Sequence, residues 1–214
     1  MLKSFKKKSL PNSPTLHVTR YTLHSSRGFS LIELAVTITI FVVLTTAVLI
    51  KNSRFQSDLI ITNLAYEIAL TIRQAQTYGI NVKAYDSTSF NYAYGVHFDV
   101  GTSAAKEKFQ LFVDLDDSNV YTEDPLEEVS AFQLKAKNVI SDLCVYQVSS
   151  GGVGDCTIDF VDITFKRPEP EALICIGTDS CEAKRAVIEV TSPKGVKRTV
   201  EVKSTGQISV LMPN

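Results

Sequence analysis

The chain has 214 residues, with 22 Lys and Arg against 23 Asp and Glu, a net charge of −1 at pH 7, 44% apolar side chains and no Trp. That length holds one domain of ordinary size with a segment outside it. The near balance of charge argues against a dedicated binder of nucleic acid or acidic lipid, which usually carries a clear basic excess.

The balance hides an asymmetry along the chain. Residues 1–28 carry six basic residues (Lys3, Lys6, Lys7, Lys8, Arg20, Arg27) and no acid, so the remaining 186 hold 16 basic and all 23 acidic residues, a net −7. Residues 29–50, FSLIELAVTITIFVVLTTAVLI, then contain 16 apolar residues of 22, with one charge and neither Gly nor Pro. As a helix at about 1.5 Å per residue they reach roughly 33 Å, enough for a hydrocarbon core of about 30 Å. The segment reads as a single membrane span. A buried helix of a soluble core is the competing reading, but such helices are rarely apolar on every face. Because the basic excess precedes the span, the positive-inside tendency places the N-terminus in the cytoplasm and everything after Lys51 on the far side of the membrane. A cleaved secretory signal has a shorter apolar region, about 7 to 15 residues, and ends on a small-x-small site. Here Ala47, Val48, Leu49 and Ile50 lead into Lys51 without one.

At the front edge of the span stand Arg27, Gly28, Phe29 and a lone carboxylate, Glu33. A carboxylate near the bilayer centre costs about 2.5 to 3.5 kcal/mol, which makes it a functional candidate. The run RGFSLIEL resembles the processing motif of type IV pilins and pseudopilins. The resemblance implies that a prepilin peptidase cuts between Gly28 and Phe29, that the new N-terminal Phe29 is methylated, and that Glu33 is the family's fifth mature residue. Charge gives the spacing its reason. In a filament of packed helices the new amine on Phe29 is a cation out of water, and a neighbouring subunit's Glu33 supplies the partner that makes a buried charge tolerable. The 28-residue leader and the lack of a Pro near Ile50 lean toward a minor rather than a major subunit.

From Lys51 the composition turns polar, yet Ile61, Leu64, Ile68, Ile72 and Ala75 recur at steps of three and four, one apolar stripe on a helix. A single helix is expected from about Leu31 to Tyr78, ended by Gly79 in a left-handed conformation. Beyond it the period becomes two. Tyr94, Val96 and Phe98, then Phe109, Leu111 and Val113, then VSAFQLK, CVYQV, TIDFVDITF, ALICI, AVIEV and RTVEV read as short strands between turns. SPKG (192–195) and STG (204–206) read as hairpin turns. The expected fold is α+β: a long N-terminal helix, membrane half plus amphipathic half, packed on an antiparallel β-sheet domain. Its parts are a basic leader at 1–28, a transmembrane helix half at 29–50, an amphipathic half at 51–79 and a β-rich globular domain at 80–214. NLAYEIALTIRQAQTYGINV, the strand-rich remainder and TVEVKSTGQISV are also similar to minor pseudopilins of the H type in type II secretion systems and to related minor pilins.

All four cysteines, Cys144, Cys156, Cys175 and Cys181, fall on the translocated side. Each consecutive pair flanks a turn, so local bridges are preferred among the three possible connectivities, with a zinc site and free thiols as the other readings. No CxxC knuckle is present and His97 is the only His after residue 28. The acidic run from Asp114 to Glu128 lacks the Gly and the Glu that an EF-hand loop needs and reads as a solvated turn. No nucleophile elbow, HExxH, P-loop or dinucleotide fingerprint appears, so neither an enzyme nor a cofactor is indicated, and His97 reads as structural. The resulting expectation is a structural subunit of a pilus or secretion pseudopilus. Its implied partners are a prepilin peptidase, other pilin or pseudopilin subunits, the membrane and, indirectly, an inner-membrane platform protein and an assembly ATPase. The alternative is a DNA-binding minor pilin of a competence system, using Lys194, Lys197, Arg198 and Lys203. Against it stands the net −7 after residue 28.

Overall fold

A computed structural model describes residues 28–81, 92–122, 124–147, 153–177 and 181–212, with the backbone alone at 50–54. The basic leader and Arg27 lie outside the described residues. The chain forms two units, Met1–Thr45 and Thr46–Asn214. In the first, the described residues are the approach to helix α1 (Leu31–Ile80) and its opening turns. Among the described residues, the second holds the rest of α1 and ten strands.

Helix α1 presents Ile61, Leu64, Ala65, Ile68, Ile72 and Ala75, all buried, to the domain. These are the residues of the apolar stripe, with Ala65 filling the gap at its centre. The strands are β1 (Ala93–Asp99), β2 (Lys108–Asp114), β3 (Glu128–Gln133), β4 (Val139–Gln147), β5 (Gly154–Asp155), β6 (Phe160–Phe165), β7 (Ala172–Cys175), β8 (Ala183–Thr191), β9 (Lys197–Lys203) and β10 (Ile208–Leu211). They divide into two five-stranded sheets, ordered β3-β2-β1-β6-β7 and β10-β9-β8-β4-β5. Every ladder is antiparallel, so the α+β class holds. An isolated parallel bridge, Ile174 to Glu182, links the end of the first sheet to the approach to the second.

The strand period decides what faces inward. Tyr94, Val96, Phe98, Phe109, Leu111, Val161 and Ile163 of the first sheet share one apolar cluster with Ile140, Leu143, Ile188, Val190, Val200 and Val202 of the second, and the helix stripe belongs to the same cluster. Polar ties fasten the helix to the strands and turns of the domain at two levels. Arg198 on β9 donates from Nε to Thr62 Oγ1 at 3.0 Å and from Nη2 to Asp58. Gln76 Nε2 donates to the carbonyls of Pro170 (2.9 Å) and Gly206 (3.2 Å).

Gly79 plays a different part from the one expected. It lies within α1 and is not among the positive-φ glycines, which are Gly177, Gly195 and Gly206. A Cβ at Gly79 would meet the carbonyl oxygen of Phe165 at 2.3 Å, so its bareness admits a close approach of β6. Gly195 (φ 76°) and Gly206 (φ 82°) do adopt the left-handed region, in the β8–β9 and β9–β10 turns.

Candidate functional site

The first unit exposes its chemistry along one segment. Gly28 has open space around its Cα, and Phe29 is 82% exposed. Leu34 N–H donates to Ser30 O at 3.0 Å, closing the first helical turn, and Glu33 lies in that turn. A chain cut after Gly28 places its new amine just ahead of the helix, with Glu33 one turn away. A carboxylate at this end also meets the positive end of the helix dipole.

Leu31–Leu49 is long and apolar enough to cross a membrane, and none of it is buried. Its hydroxyls turn inward on the backbone: Thr37 donates to Leu34 O (2.9 Å), Thr39 to Ala35 O (2.8 Å) and Thr45 to Phe41 O. Satisfying hydroxyls within the helix removes the cost of presenting them to an apolar surrounding.

In the second unit, a polar cluster occupies the face of the first sheet that points away from the core. His97 Nδ1 lies 2.8 Å from Asp162 Oδ1, between neighbouring strands in register. The segment after β2 folds over this pair. Tyr121 packs 5.1 Å from the His97 ring and 5.6 Å from Phe112, and Thr164 Oγ1 donates to Asn119 O at 2.9 Å. Asp114 accepts from the N–H groups of Ser118 and Asn119, both at 3.0 Å. Glu127 accepts from Leu115 N–H (3.3 Å), Thr122 N–H (3.0 Å) and Thr122 Oγ1 (2.7 Å). The acidic run is therefore not simply a solvated turn: Asp114 and Glu127 are each 2% exposed and peg the loop down, while Asp116 and Asp117 remain outside. Carboxylate oxygens of Asp114, Asp116 and Glu127 come within 4.8 Å of one another. Burial pushes Asp114 up to about 6, against the pull of the Asn119 and Ser118 N–H bonds, and burial also raises Asp162 against its bond to His97. The sequence signal for Asp162 was the polar position inside TIDFVDITF, but its partner could not be read locally.

Disulfides join Cys144 to Cys156 and Cys175 to Cys181, which removes the cysteines as metal ligands or free thiols. The basic residues assigned to DNA do not form one surface. Lys197 Nζ donates to Glu189 at 2.7 Å, and Arg198 is 9% exposed with Asp58 beside it. Lys203 lies 3.7 Å from Glu201 at the other end of β9, roughly 20 Å along the strand from Lys197. Lys194 is exposed in the β8–β9 turn. Lys197, Arg198 and Lys203 each face a carboxylate, and Lys203 stands at the far end of β9 from the other three, so the four do not make one track for a phosphate backbone.

Residues 23–49 match the family described as the prokaryotic N-terminal methylation motif. The match covers Gly28, Phe29, Glu33 and the whole apolar stretch through Leu49. No curated protein and no solved structure matches the chain.

Proposed function

We propose that the chain is a structural prepilin-like subunit, a minor pseudopilin or minor pilin, that enters a type II secretion pseudopilus or a type IV pilus. The observation that carries this reading is the N-terminal methylation motif lying in register with an unburied apolar helix. A prepilin peptidase cuts between Gly28 and Phe29 at the cytoplasmic face and Phe29 is methylated. The apolar half of α1 then holds the subunit as a single-pass inner-membrane protein, with the β domain on the far side. Two disulfides fit that side, which is the oxidising one. Subunits join through their N-terminal helices, Glu33 of one meeting the amine of another, while an ATPase and a platform protein supply the work. The H-type resemblance of the helix and the strand-rich body favours the secretion pseudopilus.

Co-expression with a prepilin peptidase tests the reading. Mass spectrometry should show a chain beginning at methylated Phe29, and Gly28→Trp should leave the leader in place. An intact N-terminus beside an active peptidase, or a cut after Ala47, refutes it.

A further inference from the structure

One end of the second sheet carries a group of cations that the assembly reading does not use. The register pairs Val139 with Thr191 and Thr191 with Lys197, so the turns before β4 and between β8 and β9 stand side by side. Ala136, Asn138 and Lys194 from those turns line one groove with Ser57 and Ile60 of α1. Arg198 ties this end of the sheet to Asp58 and Thr62, whereas the opposite end meets the helix at Gln76. In sequence, the helix residues that meet this rim, Ser57 to Thr62, come sooner after the apolar stretch than Gln76 does. Leu49, the last residue of the span, precedes Ser57 by eight positions, about 12 Å of helix. The head-group layer occupies roughly half of that distance, and extended lysine side chains cover much of the rest.

Lys135, Lys137, Lys194 and Lys197 are exposed at this rim. The acids among the described residues here include Asp58 beside Arg198, Glu189 beside Lys197, Asp142 farther along β4, and Glu107, whose carbonyl accepts from Leu134 N–H next to Lys135. Cations are in excess at this end although the chain after residue 28 is acidic as a whole. The turn that presents Lys135 and Lys137 is fixed: Ala136 (φ 59°) and Lys137 (φ 56°) are both left-handed, and Asn138 donates to Lys135 O from its backbone (3.3 Å) and from Nδ2 (2.6 Å). Two consecutive non-glycine residues in that region are uncommon, and the local bonds hold them there.

We propose that this rim binds the head groups of anionic phospholipids and seats the β domain against the membrane face from which its helix emerges. The inference rests on the single-span reading above. A membrane is favoured over an acidic protein segment because the chain itself brings the lipid within reach, at the high effective concentration of a short tether.

The test uses the full chain reconstituted in vesicles of phosphatidylcholine alone or with phosphatidylglycerol added. Lysines are reductively methylated with uncharged reagents and quantified by peptide mass spectrometry. Lys184, exposed near the Gln76 end of the domain, is the internal reference. A juxtamembrane lysine at an anionic surface gains about 1 kcal/mol, equivalent to roughly five-fold. Methylation of Lys135, Lys137 and Lys194 relative to Lys184 should therefore slow about five-fold when phosphatidylglycerol is present and recover at high salt. Equal rates in both vesicle types overturn the proposal, as does protection that arises only when other filament subunits are added. Carbonate washing separates the two readings. A chain stripped from the vesicles overturns the span and the inference with it, whereas a retained chain with lipid-independent methylation overturns the inference alone.

Discussion

At Glu33 the lipid and the filament make opposite demands. A lone carboxylate in the first turn of an apolar helix is a cost to insertion and, on the assembly reading, the partner of a neighbour's amine. Glu33→Leu should therefore insert at least as well as the parent and still be processed, yet enter filaments poorly; equal amounts of both proteins in sheared filament fractions would show that the carboxylate has no such role. At Asp114 the demand is on pH. Its folded value of about 6 lies above the ordinary 3.8, because burial disfavours the charge. The folded chain then keeps a proton that the unfolded chain releases, so the stability from that proton is complete below about pH 4 and is lost as pH rises through about 6. Asp162, raised in the same direction, acts in the same sense. Asp114→Asn keeps an acceptor oxygen for only one of the two N–H groups, Ser118 or Asn119, so it should lower the melting temperature at every pH yet flatten its decline between about pH 4 and 6; an unchanged profile refutes the assignment. The methylation motif that contains Gly28, Phe29 and Glu33 was legible because it is written in local spacing. The meaning of Asp114 and Glu127 depends on which surface the loop covers, and an acidic run alone favours water.

Elements were legible where their determinants are short-range. The stripe from Ile61 to Ala75 repeats at helical spacing, and the turns at 192–195 and 204–206 place Gly195 and Gly206 where a left-handed residue is needed. The partition into two sheets was not, because a period of two says which face of a strand is apolar and nothing about its neighbours. Strand β4 bonds β8 across an interval that contains β5, β6 and β7. Gly79 was recognised as special for the wrong reason, since the atom that excludes a side chain there belongs to β6. In an ordinary helix Gly→Ala gains about 0.5 to 1 kcal/mol. Here the added Cβ would sit 2.3 Å from Phe165 O, and overpacking of that kind costs about 1 to 3 kcal/mol. The second effect is the larger, so Gly79→Ala should lower stability in urea unfolding. A gain would show that β6 can retreat.

For the molecule as a whole, the helix stripe and both sheets share one cluster, so the domain should not survive loss of the helix. A chain starting near Asn52 keeps Ile61 to Ala75 and should be soluble and folded. One starting at Ile80 uncovers the inner faces, whose burial is worth about 25 cal/mol per Å², and should aggregate; a well-folded protein from Ile80 would show that the helix is only a stalk. The charge asymmetry between leader and body was visible in composition, but the sorting of charge within the body was not, because Asp58 and Arg198 meet across 140 positions. That pair and the Gln76 bonds sit at two levels of the helix, fourteen residues apart from Thr62 to Gln76, with Leu64, Ala65, Ile68, Ile72 and Ala75 between them. The consequence is mechanical. A pull along the helix loads both ties and the intervening apolar contacts together, in shear, so the β domain travels as cargo on its own rope instead of peeling away one contact at a time.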